Sequence, residues 1–141
     1  MAIVFISQFM YSHSTRIAPD HIHSLKEHEV FVFGSNIEGH HGGGAAYFAF
    51  RTFGAEWGAG EGLTGHCYAL PTMEGETSFR RAVATFIDCA KHHPNLIFLV
   101  TAVGCGIAGY SPKEVAPMFQ DAVNVPNVYL PKCFWDVIEG L

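Results

Sequence analysis

Glu29-Val30-Phe31-Val32-Phe33-Gly34-Ser35-Asn36-Ile37-Glu38-Gly39-His40-His41-Gly42-Gly43-Gly44 is the stretch that decides the fold class. From Val30 to Phe33 every residue is β-branched or aromatic and apolar. That is the composition of a central strand covered on both faces, not the alternation of a strand with one wet face. The run stops at Gly34-Ser35-Asn36. After the loop, Gly44 to Phe53 carries Ala45, Ala46, Phe48, Ala49, Phe50 and Phe53 with Arg51 as its one charge. This predicts a helix that is apolar almost all round and buried, stopped by Gly54. Strand, glycine-rich loop and helix in succession form the βα unit of a parallel sheet.

The alternation continues in both directions. Ala55 to Gly65 is glycine-dense and reads as a loop, and His66-Cys67-Tyr68-Ala69-Leu70 reads as a strand halted by Pro71. Ser78 is placed to N-cap a helix whose apolar positions Phe79, Ala82, Val83, Phe86, Ile87 and Ala90 follow the i, i+3, i+4, i+7 rhythm to His92-His93-Pro94. Both of those histidines sit where a partial positive charge suits the helix dipole. Leu96 to Ala102 reads as another buried strand. Ser111-Pro112 opens a helix with Val115, Phe119, Ala122 and Val123 on one face, Asn127 to Leu130 is a last strand, and Phe134 to Ile138 a closing helix. Toward the N-terminus, Ile3 to Ile6 suits a short strand, and Tyr11 to Lys26 shows no period. Short apolar strands alternating with helices imply a mainly parallel sheet with helices on both faces.

With 141 residues, 49% of them hydrophobic, residues 1–141 are expected to form a single domain around one core. A formal charge of -5 with only 8 Lys and Arg argues against binding a nucleic-acid backbone, which needs clustered cations. The four cysteines lie far apart with no CxxC spacing, and the start of the chain has no signal-peptide pattern, so free thiols in the cytoplasm are expected. No apolar run approaches a membrane span, so no membrane partner is expected.

The loop from Gly34 to Gly44 leaves a buried strand and enters a helix. Three consecutive glycines let backbone approach a ligand, and the free N–H groups of the next helical turn point at an anion. A glycine triplet alone is better read as a flexible loop whose glycines merely permit tight turns. Thr101-Ala102-Val103-Gly104-Cys105-Gly106-Ile107-Ala108-Gly109-Tyr110-Ser111-Pro112 repeats the arrangement, however, and two such loops at strand ends can clamp one diphosphate between them. A small phosphate-bearing nucleotide is therefore the expected ligand, with no cofactor or metal.

Phe33-Gly34-Ser35-Asn36 followed by Gly42-Gly43-Gly44-Ala45-Ala46 resembles the strand end, glycine loop and buried helix of macro domains. Gly62-Leu63-Thr64-Gly65-His66-Cys67-Tyr68-Ala69-Leu70-Pro71 is similar to that family's Thr-Gly turn and Leu-Pro strand end. Gly104 to Pro112 looks like its second phosphate loop, in the form seen in the terminal ADP-ribose protein glycohydrolase-like subclass. The resemblance runs from about Glu29 to Leu130. It implies a three-layer α/β/α sandwich with a mixed, mainly parallel sheet and ADP-ribose across the strand ends. By the same resemblance Gly34, Ser35 and Asn36 end the strand, with Asn36 at the distal ribose. Gly42, Gly43, Gly44 and Ala45 wrap the diphosphate together with Gly104, Cys105, Gly106, Ile107, Ala108 and Gly109, and Tyr110 lies near the distal ribose. Asp20 is the nearest counterpart of the adenine-reading Asp, and fits equally well as a turn residue beside Pro19.

The catalytic side chains of the resembling hydrolases are missing. Ala45-Ala46-Tyr47 stands where one subclass keeps an Asp, and Ala108 and Met73 stand where another keeps an Asp and a Lys. Ligand binding by backbone amides is unaffected by these losses. Hydrolysis of an ADP-ribose conjugate would then fall to non-standard residues, for which Asn36, His40 and His41 are the candidates. His66 faces the crevice if its strand presents it there. Cys105 is either a reactive thiol at a helix start or a small residue packing on the core. A zinc site from His40, His41, Cys67 and Cys105 lacks the short spacings of structural zinc motifs.

Overall fold

In the computed structural model, which describes residues 16–140, Val30 and Val32 point to one side of the sheet and Phe31 and Phe33 to the other, all four buried. Their strand, β2 (Glu29–Ser35), is the doubly covered central strand the sequence predicts. It pairs in parallel with β4 (Cys67–Pro71) on one side and with β5 (Ile97–Val100) on the other. Beyond β5 lie β6 (Val128–Pro131) and the edge strand β1 (Ile17–Ala18), both parallel. On the far side β3 (Gly62–Thr64) runs antiparallel to β4. The six-stranded sheet has the order β1-β6-β5-β2-β4-β3, mixed and mainly parallel.

Helices cover both faces, giving a three-layer α/β/α sandwich. One layer holds α1 (Gly44–Phe48), which widens into a π-helical stretch over Ala49–Phe53 and ends at Gly54 in the left-handed conformation (φ 81°). The other holds α2 (Glu76–Lys91), α3 (Pro112–Val115) with its 3-10 continuation Ala116–Asn124, and α4 (Lys132–Gly140). The larger apolar cluster sits in this second layer. It centres on Phe79, Phe86, Phe98, Phe119, Phe134 and Trp135. Among the described residues no helix is long and apolar enough to cross a membrane.

Four expectations need correction. The helix expected to be cap-started at Ser78 begins at Glu76, because the Gly75 carbonyl already accepts from Phe79 N at 3.0 Å; the apolar rhythm marks the first buried residue, not the first helical one. The helix after the glycine triplet is buried on one face only. Ala46, Ala49 and Phe53 face the sheet, whereas Tyr47 and Phe50 are exposed. The segment Ala55 to Gly65 contains β3, which joins β4 through the two-residue turn Gly65-His66. That turn lies at the opposite end of β4 from Pro71, so His66 does not face the crevice at the strand C-termini. Phe134 and Trp135 close the core, as the final helix suggested. The strand expected at Ile3 to Ile6 lies outside the described residues.

Candidate functional site

At the end of β2 the chain folds back on itself through one side chain. Asn36 accepts from the His40 backbone N–H at 2.9 Å and donates to the His40 carbonyl at 3.0 Å, closing a tight loop. Gly39 sits inside it at φ 72°, and a Cβ there would come within 2.4 Å of the Gly58 carbonyl carbon. Gly60 is equally confined, since its Cβ would meet the Ile37 oxygen at 2.2 Å, and Ser35 Oγ donates to its carbonyl. The glycines of the irregular segment thus seat the first loop. Glu74, from the turn after β4, accepts from Ile37 N at 3.0 Å and ties the end of β4 to the loop.

Past His40 the loop opens. A Cβ on Gly42, Gly43 or Gly44 would meet nothing within 4 Å, so these glycines leave space beside the first turn of α1. The first N–H groups of a helix have no intrahelical acceptor and remain available there. The second loop begins where Thr101 Oγ1 donates to the Val32 carbonyl at 2.8 Å. It turns at Gly104 (φ 78°), whose Cβ would strike the Phe79 ring at 2.5 Å, and closes with Tyr110 N donating to the Gly104 carbonyl at 2.9 Å. The two loops meet at Gly34. A Cβ on it would lie 3.5 Å from both Gly104 N and the Thr72 side chain.

Between the loops lies a cavity of about 450 Å³. That is within the size range of small-molecule sites. Of the first-loop candidates, Gly34, Ser35, Asn36, His40, Gly43, Gly44 and Ala45 line it, and of the second, Gly104, Gly106, Ile107 and Ala108. Thr72, Met73, Thr101, Ala102, Val103 and Ala46 line it as well. None of these six is among the expected site residues, and of them Thr72 and Thr101 bring hydroxyls to the wall. The signal for Thr72 was its place just after Pro71, at the end of a buried strand parallel to β2. No lining residue is Lys or Arg. An anion placed here would meet backbone and hydroxyl groups rather than side-chain cations. Ile107, 87% exposed, stands at the tip of the second loop as part of the rim.

The remaining candidates fall elsewhere. Gly42, Cys105, Gly109 and Tyr110 are outside the cavity wall. Tyr110 is half-buried, its ring edge-on to Phe79 at 5.1 Å. His41 is fully buried, with Nε2 2.9 Å from the Glu56 carbonyl and its ring against Phe33, so the structure takes it away from the crevice. Its Nδ1 has no hydrogen-bond partner among the described residues. Asp20 is exposed just after β1, at the same end of the sheet as the cavity but not in its wall. Cys105 packs against the larger apolar cluster, and burial, with Cys133 and Glu114 adding to it, pushes its thiol up to about 11. This packing is that of a small core residue. His41 and Cys67 lie in the α1 layer and Cys105 in the other. Among the described residues no group of three His, Cys, Asp or Glu is placed to hold a metal ion.

Comparison with family models, with curated proteins and with solved structures gave no match.

Proposed function

We propose that the cavity binds ADP-ribose or a related NAD-derived nucleotide, with the diphosphate cradled between the two glycine loops. The observation that carries this reading is one cavity walled by both loops at the C-terminal ends of parallel strands, the general address of ligands in open α/β sheets. A wall without Lys or Arg suits an anion held by backbone amides, and the first turn of α1 adds its free N–H groups. The motif order that resembles a macro domain supports the same ligand. Asp20, beyond β6 at the same end of the sheet, is the candidate for the adenine end. Free thiols at all four cysteines fit a cytoplasmic setting.

Isothermal calorimetry with ADP-ribose, AMP and NAD tests this. Gly43 and Gly106 both have open space for a side chain and neither has positive φ. Gly43→Glu and Gly106→Glu should therefore fold normally and abolish binding by placing a carboxylate where the phosphates sit. Absence of heat with all three nucleotides at millimolar concentration sinks the proposal.

His40 and Asn36 in the wall favour a second reading, release of ADP-ribose from a protein, nucleic-acid or small-molecule conjugate. Asn36 has its amide engaged by the His40 backbone, so the imidazole of His40 is the group left to move a proton. Product formation that His40→Ala leaves unchanged rejects that role.

A further inference from the structure

We propose that His40, Trp57 and Phe50 form an aromatic subsite at the mouth of the cavity, which stacks on a heteroaromatic ring carried by the bound nucleotide. The inference rests on the nucleotide reading of the cavity and adds to it the group that selects among nucleotides.

The three rings come from three chain segments. His40 belongs to the first loop, Phe50 to the π-helical stretch after α1, and Trp57 to the segment that the first loop lies on. A backbone hydrogen bond from Gly58 N to the Gly39 carbonyl, 2.9 Å, fixes the Trp57 segment against the loop. Trp57 stacks on His40 with ring centroids 5.8 Å apart and planes 19° from parallel. Phe50 meets the same indole edge-on at 5.4 Å. Trp57 nonetheless remains 51% exposed and Phe50 37%, whereas Trp135, the other tryptophan, is wholly buried.

His40 is the link between cluster and cavity, because it is a wall residue of one and a stacked member of the other. It is also the one aromatic residue in the wall. Amides and hydroxyls suffice for phosphate and ribose, but a purine or pyrimidine is recognised on a flat apolar face. Trp57 and Phe50, exposed beside His40, offer apolar ring surface to a ring that leaves the cavity there. The ring is either a heterocycle attached at the distal ribose, with adenine toward Asp20, or the adenine itself, in which case Asp20 does not read it.

Trp57 fluorescence and calorimetry together test this. The probes are pyrophosphate and ribose 5-phosphate, which have no ring, AMP and ADP-ribose, which carry adenine, and NAD, which carries nicotinamide as well. Ring-bearing probes should quench Trp57 and pyrophosphate should not. Trp57 also meets the buried His41 ring edge-on at 6.1 Å, so Trp57→Leu keeps an apolar cover there; it and Phe50→Ala should each weaken the probes whose ring stacks there by about 5- to 100-fold, the range expected for lost base stacking, and leave pyrophosphate unchanged. Quenching by AMP and ADP-ribose assigns the face to adenine; quenching by NAD alone assigns it to the ring at the other ribose. If ADP-ribose and NAD both bind wild type and both variants equally and leave the fluorescence unaltered, the subsite is wrong and the diphosphate cavity stands. If no probe binds, both fall.

Discussion

A methyl group at Gly104 would meet the Phe79 ring at 2.5 Å on a backbone with φ 78°, whereas one at Gly106 would meet nothing within 4 Å. Gly104→Ala should therefore cost about 2–4 kcal/mol, from the left-handed conformation and the overlap together. Gly106→Ala should stay within about 0.5 kcal/mol of wild type, as a surface change does. Urea denaturation separates them, and equal midpoints would reject the assignment. The sequence displays both glycines as members of one cluster. Their difference is invisible there because it depends on a ring supplied by α2. Cys67 is a second residue whose surroundings set its behaviour. Burial beneath α1 pushes its thiol up to about 12 from an ordinary value of 9.0. A folded-state value above the unfolded one means that the folded protein holds the proton more tightly. The associated stability is complete below pH 9 and is lost as pH rises toward 12. Melting temperature should thus fall more between pH 8 and 11 in wild type than in Cys67→Ala, and parallel curves would contradict the linkage.

Two serines with similar sequence credentials behave differently in their helices. Ser111 makes a complete capping box: its Oγ accepts from Glu114 N at 3.3 Å, and Glu114 accepts from Ser111 N at 2.9 Å. Ser78 lies inside the first turn of α2, where the Gly75 carbonyl begins the helix. Ser111→Ala should lose about 1 kcal/mol in chemical denaturation, and Ser78→Ala should change little. Element type was legible wherever a long apolar pattern exists, as in β2, α2 and the helix after Ser111. β3 was not legible, because three residues are too few to show alternation and its identity comes from pairing with β4 through the Gly65-His66 turn. The same turn decides the open question of His66: a strand's residues are readable, but which end meets the crevice follows from its direction in the sheet. The exposed face of α1 and its π-helical continuation is hidden in the sequence for a related reason. Aromatic residues at Tyr47 and Phe50 mimic a buried pattern, while the sheet has room for Ala46, Ala49 and Phe53.

Across the whole molecule, the sheet places the cavity at its centre, where β2, β4 and β5 end, and leaves β1 as a two-residue edge strand far from it. So short an edge needs side-chain support, and Arg16 provides it. The guanidinium is 1% exposed and donates to the carbonyls of Val123 at 2.6 Å and Val128 at 3.1 Å, and to those of Ala122 and Val125. It lies over the Trp135 ring at 5.2 Å, and the indole Nε1 returns a bond to the Arg16 carbonyl at 2.7 Å. One residue thus joins β1, the end of the 3-10 helix, β6 and α4. Nothing near Arg16 in the sequence announces this, since its partners lie more than 100 positions away. Arg16→Met should orphan several buried carbonyls and cost at least about 3 kcal/mol. Arg16→Lys should fall between, because an ammonium lacks the planar fork that serves several acceptors at once. Denaturation followed by Trp135 fluorescence reads the loss. Pyrophosphate, the probe of the proposed diphosphate loops alone, should bind the fraction that remains folded as it binds wild type, because the cavity wall is drawn from β2, the β4 and β5 ends and α1. A variant as stable as wild type, or one that stays folded and binds more weakly, would show that the edge and the cavity are not the independent parts this sheet makes them.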